Sequence, residues 1–328
     1  MSKASTEAEA FVSAHLVEAV SLGEGLADLT EEPDAYLAAL TTGLSSLAEP
    51  AYLEMVTRAC PETPARYMVR GALAEAIDKP VKSALRESSS MSALQLAHRL
   101  AMADHRDLRL YANEPLRRAL PEDPEMSWQI MRRLGHAAGD WIATDSLADL
   151  WARGVLAEHF RWAEPEQLLY SEQTYERRLV AATLATLPHR VPAPRRDELR
   201  PEASQRALEM LRQLMGDAET MVQKALSWAI REWTRVDAGA TAELLRAETI
   251  IASQNRDGAR AWVIRDSLSK QPEALGDELR PQLEGIRRDR NAPSTSLAST
   301  QAAAFAAALT NSTDAVAAQG DRYTRSRA

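Results

Sequence analysis

The sequence predicts an all-α protein made of stacked helical repeats, on three observations. Apolar residues recur at three- and four-residue spacing in nearly every segment. No convincing period-2 run is bounded by hairpin turns. Clusters of Pro, Gly and Asp interrupt the pattern often enough to give helices of roughly 10–18 residues with short connections.

Helical periodicity is clearest at Ser92–Ala103, Pro124–Ala138, Tyr175–Leu187, Pro201–Met215, Ala218–Arg235 and Arg256–Ser269. Breaks fall at Glu49-Pro50, Pro61–Pro64, Asp78-Lys79-Pro80, Pro121–Pro124, Ala163–Pro165, Leu187–Pro194, Met215–Asp217 and Lys270–Pro272. These residues both stop helices and cap the next ones. Helix pairs recur at roughly 35–45 residues, the range of HEAT-like repeats. Such pairs cannot bury their apolar faces alone, so the expected architecture is a HEAT-like solenoid with a concave cleft. Three divisions are expected: an acidic N-terminal helical extension (1–50), a HEAT-like repeat body (51–290) and an Ala/Ser/Thr-rich, flexible tail (291–328). The last eight residues of that tail carry three Arg, which suit either a solvated end or an electrostatic tether.

Composition excludes several classes. The chain has 328 residues, 45% apolar and 26% charged, as soluble globular proteins do. Its single cysteine, Cys60, rules out a disulfide scaffold and any cysteine-based zinc or iron–sulfur site, and suits a reducing cytosol. No apolar run approaches the ~20 residues of a membrane span. The acidic start, MSKASTEAEA, does not read as a signal peptide. The net charge of −8 argues at first against nucleic acid. Its distribution weakens that argument, because residues 1–50 hold one Lys+Arg and nine Asp+Glu, while 51–235 hold 26 of each and 236–328 hold 12 of each. The body is neutral and can carry a local basic groove. Arginine alone says little, since Arg outnumbers Lys 34 to 5 along the whole chain.

Four stretches can carry chemistry. In Gly216–Arg235, Asp217 is a candidate N-cap, and Glu219 complements the helix dipole. At 100° per residue, Met221, Val222, Ala225, Leu226, Ala229, Ile230 and Trp233 form one apolar face. Lys224, Trp228, Arg231 and Arg235 fall together on the nearly opposite face. A Trp among cations away from the core can offer a flat surface to a sugar or base while its neighbours grip phosphates. It reads equally as cation–π packing against the next repeat. In Gly139–Ala148, Trp141 and Asp145 are four apart and share a helix face, followed on that face by the small Ala148 and Ala152. A carboxylate kept ionised by the helix dipole beside an aromatic wall suits stabilisation of a developing cation or orientation of a water. The plainer reading is a buried Trp with a surface or capping Asp. The adjacent Arg177 and Arg178 leave their helix about 100° apart, so only one can share a groove, and such a pair is usually a solvated face. Ala65-Arg66-Tyr67-Met68, alone, decides nothing.

Together and in this order, these stretches resemble the AlkD-like DNA alkylation repair glycosylases, over about residues 60–270. A-R-Y-M at Ala65–Met68, with the Lys79–Glu87 segment, is similar to that family's N-terminal repeat. Trp141 and Asp145 resemble its catalytic pair, and Arg178 its phosphate-binding arginine. K-A-x-x-W-A-[ILV]-R-E at Lys224–Glu232 is the most specific match, and N-R-D-G-A at Asn255–Ala259 a looser one.

The resemblance implies a HEAT-like all-α fold and a monofunctional glycosylase acting on cationic N-alkylated purines, such as 3-methyladenine and 7-methylguanine, in base excision repair. Bulkier adducts come within reach because family members act without turning the base into a pocket. Asp145 would stabilise the oxocarbenium-like sugar, and Trp141 and Trp228 would hold the deoxyribose. Tyr67 would help close the cleft, and Arg178 and Arg231, with Lys224 and Arg235, would bind backbone phosphates. The implied partner is double-stranded DNA with alkylated purines, without a metal or organic cofactor and without a membrane. The expected state is a cytoplasmic monomer, nucleoid-associated when bound to DNA. The alternative is a non-catalytic HEAT-like module that binds DNA or a protein, and the acidic N-terminus could recruit a basic protein partner.

Overall fold

The computed structural model describes residues 3–191, 195 and 202–308. Helices joined by loops make up these residues, with no strand among them. Among them, too, no helix is long and apolar enough to cross a membrane. The chain divides into two compact units, Met1–Glu158 and His159–Ala328.

The N-terminal unit contains α1 (Lys3–Asp28), α2 (Pro33–Leu47), α3 (Pro50–Ala59), α4 (Gly71–Glu87), α5 (Ser90–Ala101), α6 (Arg106–Arg109), α7 (Asn113–Ala119), α8 (Pro124–His136) and α9 (Trp141–Ala157). Pro33, Pro50 and Pro124 each sit in a first turn, where a missing N–H costs nothing. The Ser89 side chain accepts the Ser92 N–H and starts α5. Helices pack in two layers. In one, α1 lies on α4, α4 on α7 and α7 on α9. In the other, α2 lies on α5 and α5 on α8. The acidic first fifty residues therefore cover α4 and α5, burying Leu26, Tyr36, Leu40, Leu44 and Leu47.

The C-terminal unit contains α10 (Ala163–Leu168), α11 (Thr174–Arg190), α12 (Glu202–Leu214), α13 (Thr220–Trp233), α14 (Ala238–Asn255), α15 (Gly258–Ser267) and α16 (Glu273–Leu279). It repeats the two-layer plan, with α11, α13 and α15 stacked in one layer and α12, α14 and α16 in the other. This alternation is the helical-repeat pattern that the spacing predicts. α13 is the central helix of its layer, and the Trp233 indole donates to the Leu184 carbonyl at 2.9 Å.

The six predicted helices all form, with ends shifted by no more than three residues. One start differs in kind. α13 begins at Thr220 with Glu219 at its N-cap. Asp217 is fully buried instead, and pairs with the Arg177 guanidinium at 2.8 Å. The buried cation holds the carboxylate two residues before the position a cap would take. N-R-D-G-A is a packing device. Arg256 closes α14 in the left-handed region at φ 50°, and Gly258 lies so close to residues 287 and 288 that a Cβ would collide with the Arg287 carbonyl oxygen. Part of the predicted tail is described. Thr295 donates its N–H to the Gly216 carbonyl at 3.0 Å, and residues 297–308 form a helix with Ala298 and Ala302 buried. The terminal arginines and most of the proline-rich stretch after Val191 lie outside the described residues.

Candidate active site

The seven tryptophans sort by exposure. Trp128, Trp151, Trp162 and Trp233 are buried at 4% or less, whereas Trp141 is 36% exposed, and Trp228 and Trp262 are half-buried. Trp128 of α8 and Trp151 of α9 meet with centroids 4.9 Å apart and rings tilted by 42°. Large indoles normally complete a core. Trp141 instead keeps part of its ring accessible on the same helix that buries Trp151.

Trp141 is the first residue of α9 and Asp145 the fifth. The Asp140 side chain caps the helix by accepting the Ala143 N–H at 2.9 Å. The Trp141 indole N–H reaches the Ala59 carbonyl, at the end of α3, at 3.4 Å. Asp145 is partly exposed and accepts the Thr144 hydroxyl at 3.4 Å. Its place, a turn inside a helix start, puts the carboxylate where the dipole stabilises negative charge. The stripe beyond differs from expectation. Ala148 and Ala152 are fully buried, so small residues there serve helix packing and leave no open space. The accessible part of the face is its first turn.

Tyr67 belongs to the same unit. Its ring is largely buried, edge-on to His105 at 5.5 Å and under the Arg66 guanidinium at 5.0 Å. The Arg66 and Tyr67 N–H groups both donate to Asp107 Oδ2 at 2.7 Å. A cavity of about 230 Å³ lies against Tyr67, Tyr111, Asn113 and Ser146, the residue after Asp145. Asp78 and Glu114 also line it, and burial pushes the Asp78 carboxyl up to about 6.

In the C-terminal unit, α13 presents the face that its periodicity predicts, except that Met221, in its first turn, is only half-buried. Val222, Ala225, Leu226, Ala229, Ile230 and Trp233 are fully buried. Opposite them, Lys224 and Arg235 are exposed, with Trp228 and Arg231 half-buried between. The two arginines already have neighbours. The Arg231 guanidinium pairs with the Asp266 carboxylate and reaches Ser227 Oγ at 3.3 Å, and Arg235 pairs with Glu232 at 2.8 Å. Arg177 and Arg178 are not a solvated face, because both are 5% exposed. Arg177 also donates to the Ser171 and Glu172 carbonyls at 2.8 and 3.0 Å, fixing the turn before α11. Arg178 donates to the Met221 carbonyl in the first turn of α13.

Trp141 and Asp145 thus share one helix start in the N-terminal unit, with Tyr67 held by the loop before α4. Lys224, Trp228, Arg231 and Arg235 share one helix face in the C-terminal unit, with Arg178 bonded to that helix. A family model described as a DNA alkylation repair enzyme matches residues 40–270. The chain belongs to the DNA alkylation repair enzyme family. Every candidate residue, from Tyr67 to Arg235, lies inside the matched span, and α1 lies outside it. No curated protein and no solved structure matches the chain. As a member of this family it has a role in repair of alkylated DNA.

Sequence reasoning missed Asp266, the buried pair Arg106 and Asp107, and Asp140. Only Asp140 left a signal, an Asp directly before an apolar-periodic run. Asp266 meets Arg231 across 35 residues, a separation that no local pattern marks.

Proposed function

We propose that this DNA alkylation repair protein is a monofunctional glycosylase for cationic N-alkylated purines in duplex DNA. The observation that carries the reading is a surface-exposed Trp141 beside Asp145 on a rigidly capped helix start. Alkylation at a ring nitrogen puts positive charge on the base and makes it a good leaving group. The C1′–N bond breaks with its electron pair going to the base, which leaves neutral. Positive charge then develops on the deoxyribose ring. Asp145 stabilises that charge electrostatically and orients a water, whose oxygen forms the new bond to C1′ as its proton passes to the carboxylate or to solvent. The product is an abasic site in an unbroken strand.

Trp141 offers its ring face to the deoxyribose beside Asp145, and Tyr67, in the same unit, shields the reacting sugar. On α13, Trp228 offers a stacking surface to the DNA. Lys224, Arg231 and Arg235 bind backbone phosphates. Each phosphate contact replaces a surface carboxylate partner where one exists, as at Arg231 and Arg235. Arg178 adds its charge to this grip while its Nη1 holds the first turn of α13. Substrates are 3-methyladenine and 7-methylguanine, with bulkier adducts admitted where the base stays outside a tight pocket. The working form is a monomer on DNA.

The test is release of 3-methyladenine and 7-methylguanine from methylated duplex DNA by the purified protein, followed as free base and as abasic sites. Release without strand cleavage supports the proposal. Tight binding of the same duplex with no release contradicts it and supports a non-catalytic DNA-binding module instead.

A further inference from the structure

We propose that Arg106 is a positioning residue that locks the Tyr67 loop to the start of α9, fixing Tyr67, Trp141 and Asp145 in one arrangement before DNA binds. The inference rests on the reading of Trp141 and Asp145 as the reacting pair. It adds a link that neither the motifs nor the family match assigns.

Three segments far apart in sequence meet at one guanidinium. Arg106 is 3% exposed. Its Nε donates to Asp107 Oδ1 at 2.7 Å and its Nη1 to Asp140 Oδ2 at 2.5 Å. Each carboxylate then does a second job with its other contacts. Asp107 Oδ2 takes the N–H groups of Arg66 and Tyr67. Asp140 Oδ1 caps α9 through Ala143, and its Oδ2 also accepts the Thr63 hydroxyl from the loop. Both carboxylates are almost wholly buried. The chain also approaches closely here, since a Cβ on Gly139 would lie 3.0 Å from the Thr63 methyl.

Stability alone is a weak reason for this arrangement. Burying one cation with two anions carries a large desolvation penalty, which pairing only partly offsets. A Ser cap and an ordinary turn would end the same elements without any buried charge. A planar fork bridging two carboxylates does supply fixed geometry. Reaction rates are sensitive to small displacements of reacting groups, so rigidity at this place bears on catalysis.

The test uses the full-length protein and three variants. Arg106→Lys keeps the charge but cannot bridge both carboxylates. It is expected to lower the single-turnover rate of 7-methylguanine release roughly 10- to 100-fold, while the Kd for the same methylated duplex stays within about threefold. Thr63→Ala is expected to lower that rate several-fold with Kd unchanged. Wild-type rates in both variants, or equal losses of rate and affinity, overturn the proposal. Should Arg106→Lys fail to fold, Asp140→Asn decides. Asn caps a helix as well as Asp, but it weakens the link to Arg106. Hydrogen exchange at the Arg66 and Tyr67 amides, which Asp140 does not touch, is expected to quicken about tenfold or more. Unchanged exchange there refutes the link. That readout needs no activity, so it still tests the lock in a protein that releases no base, where the glycosylase reading alone has failed.

Discussion

The start of α9 and the outer face of α13 are built on opposite principles. At α9 the polar groups are buried and bonded to distant segments, with Asp140 and Asp107 sharing Arg106 in the interior. On α13 the charged groups range from half-buried to exposed and pair with single carboxylates, Asp266 for Arg231 and Glu232 for Arg235. Buried charge networks hold one geometry, because any departure leaves an unpaired charge. Exposed ion pairs contribute about 0–1 kcal/mol and exchange partners readily. The contrast suits a division of labour, with fixed groups for a reaction and adaptable groups for a phosphate backbone.

Variants at the two places should therefore fail in different ways. Asp145→Asn, at the rigid place, is expected to lower base release roughly 100- to 1,000-fold with DNA affinity little changed. Trp228→Ala removes a stacking surface worth about 1–3 kcal/mol. It should lower both affinity and release by roughly ten- to a hundredfold, measured by titration and single-turnover kinetics. Arg231→Ala should weaken binding of methylated and unmethylated duplex alike, and reduce the slope of log K against log salt by about 1. Asp266→Asn works the other way. Freeing Arg231 from its carboxylate partner should tighten DNA binding about two- to fivefold at low salt, a gain that fades as salt rises.

A separate effect, on stability alone, concerns pH. Burial holds the Asp78 carboxyl at about 6, above its ordinary value of 3.8. The fold therefore binds this proton more tightly than the unfolded chain does. Stability from this group is greatest below about pH 4 and falls as pH rises to about 6, by at most about 3 kcal/mol. Asp78→Asn removes that dependence. Its Tm should exceed the wild type by a few degrees near neutral pH, with no gain at about pH 4, as read by thermal melts across that range.

Periodicity carried much of this structure. It predicted the buried and exposed faces of α13 from 100° geometry alone, and Trp233 is the core residue it implies. It failed where a side chain's partner lies far along the chain. Asp217 has the sequence of a cap, yet Arg177, forty residues earlier, holds it in the interior. Arg177 and Arg178 read as a solvated pair because local spacing cannot show which buried carbonyls and carboxylates wait for them. Ala148 and Ala152 read as space because a helix wheel does not include the neighbouring helices. Trp141 and Trp151 lie on one helix and differ only in what packs on them, so the aromatic residue type could not say which one is exposed. The Arg106 network, spanning Thr63 to Ala143, is legible only in three dimensions.

The proposed glycosylase turns on the Asp145 carboxylate supporting loss of a cationic base from its sugar. The most direct measurement compares wild-type protein and Asp145→Asn on the same 7-methylguanine duplex, following free base under single-turnover conditions and complex formation in parallel. Expected are abasic DNA from the wild type, and from the variant equal binding with release reduced at least about a hundredfold. Equal release by the two proteins would contradict it.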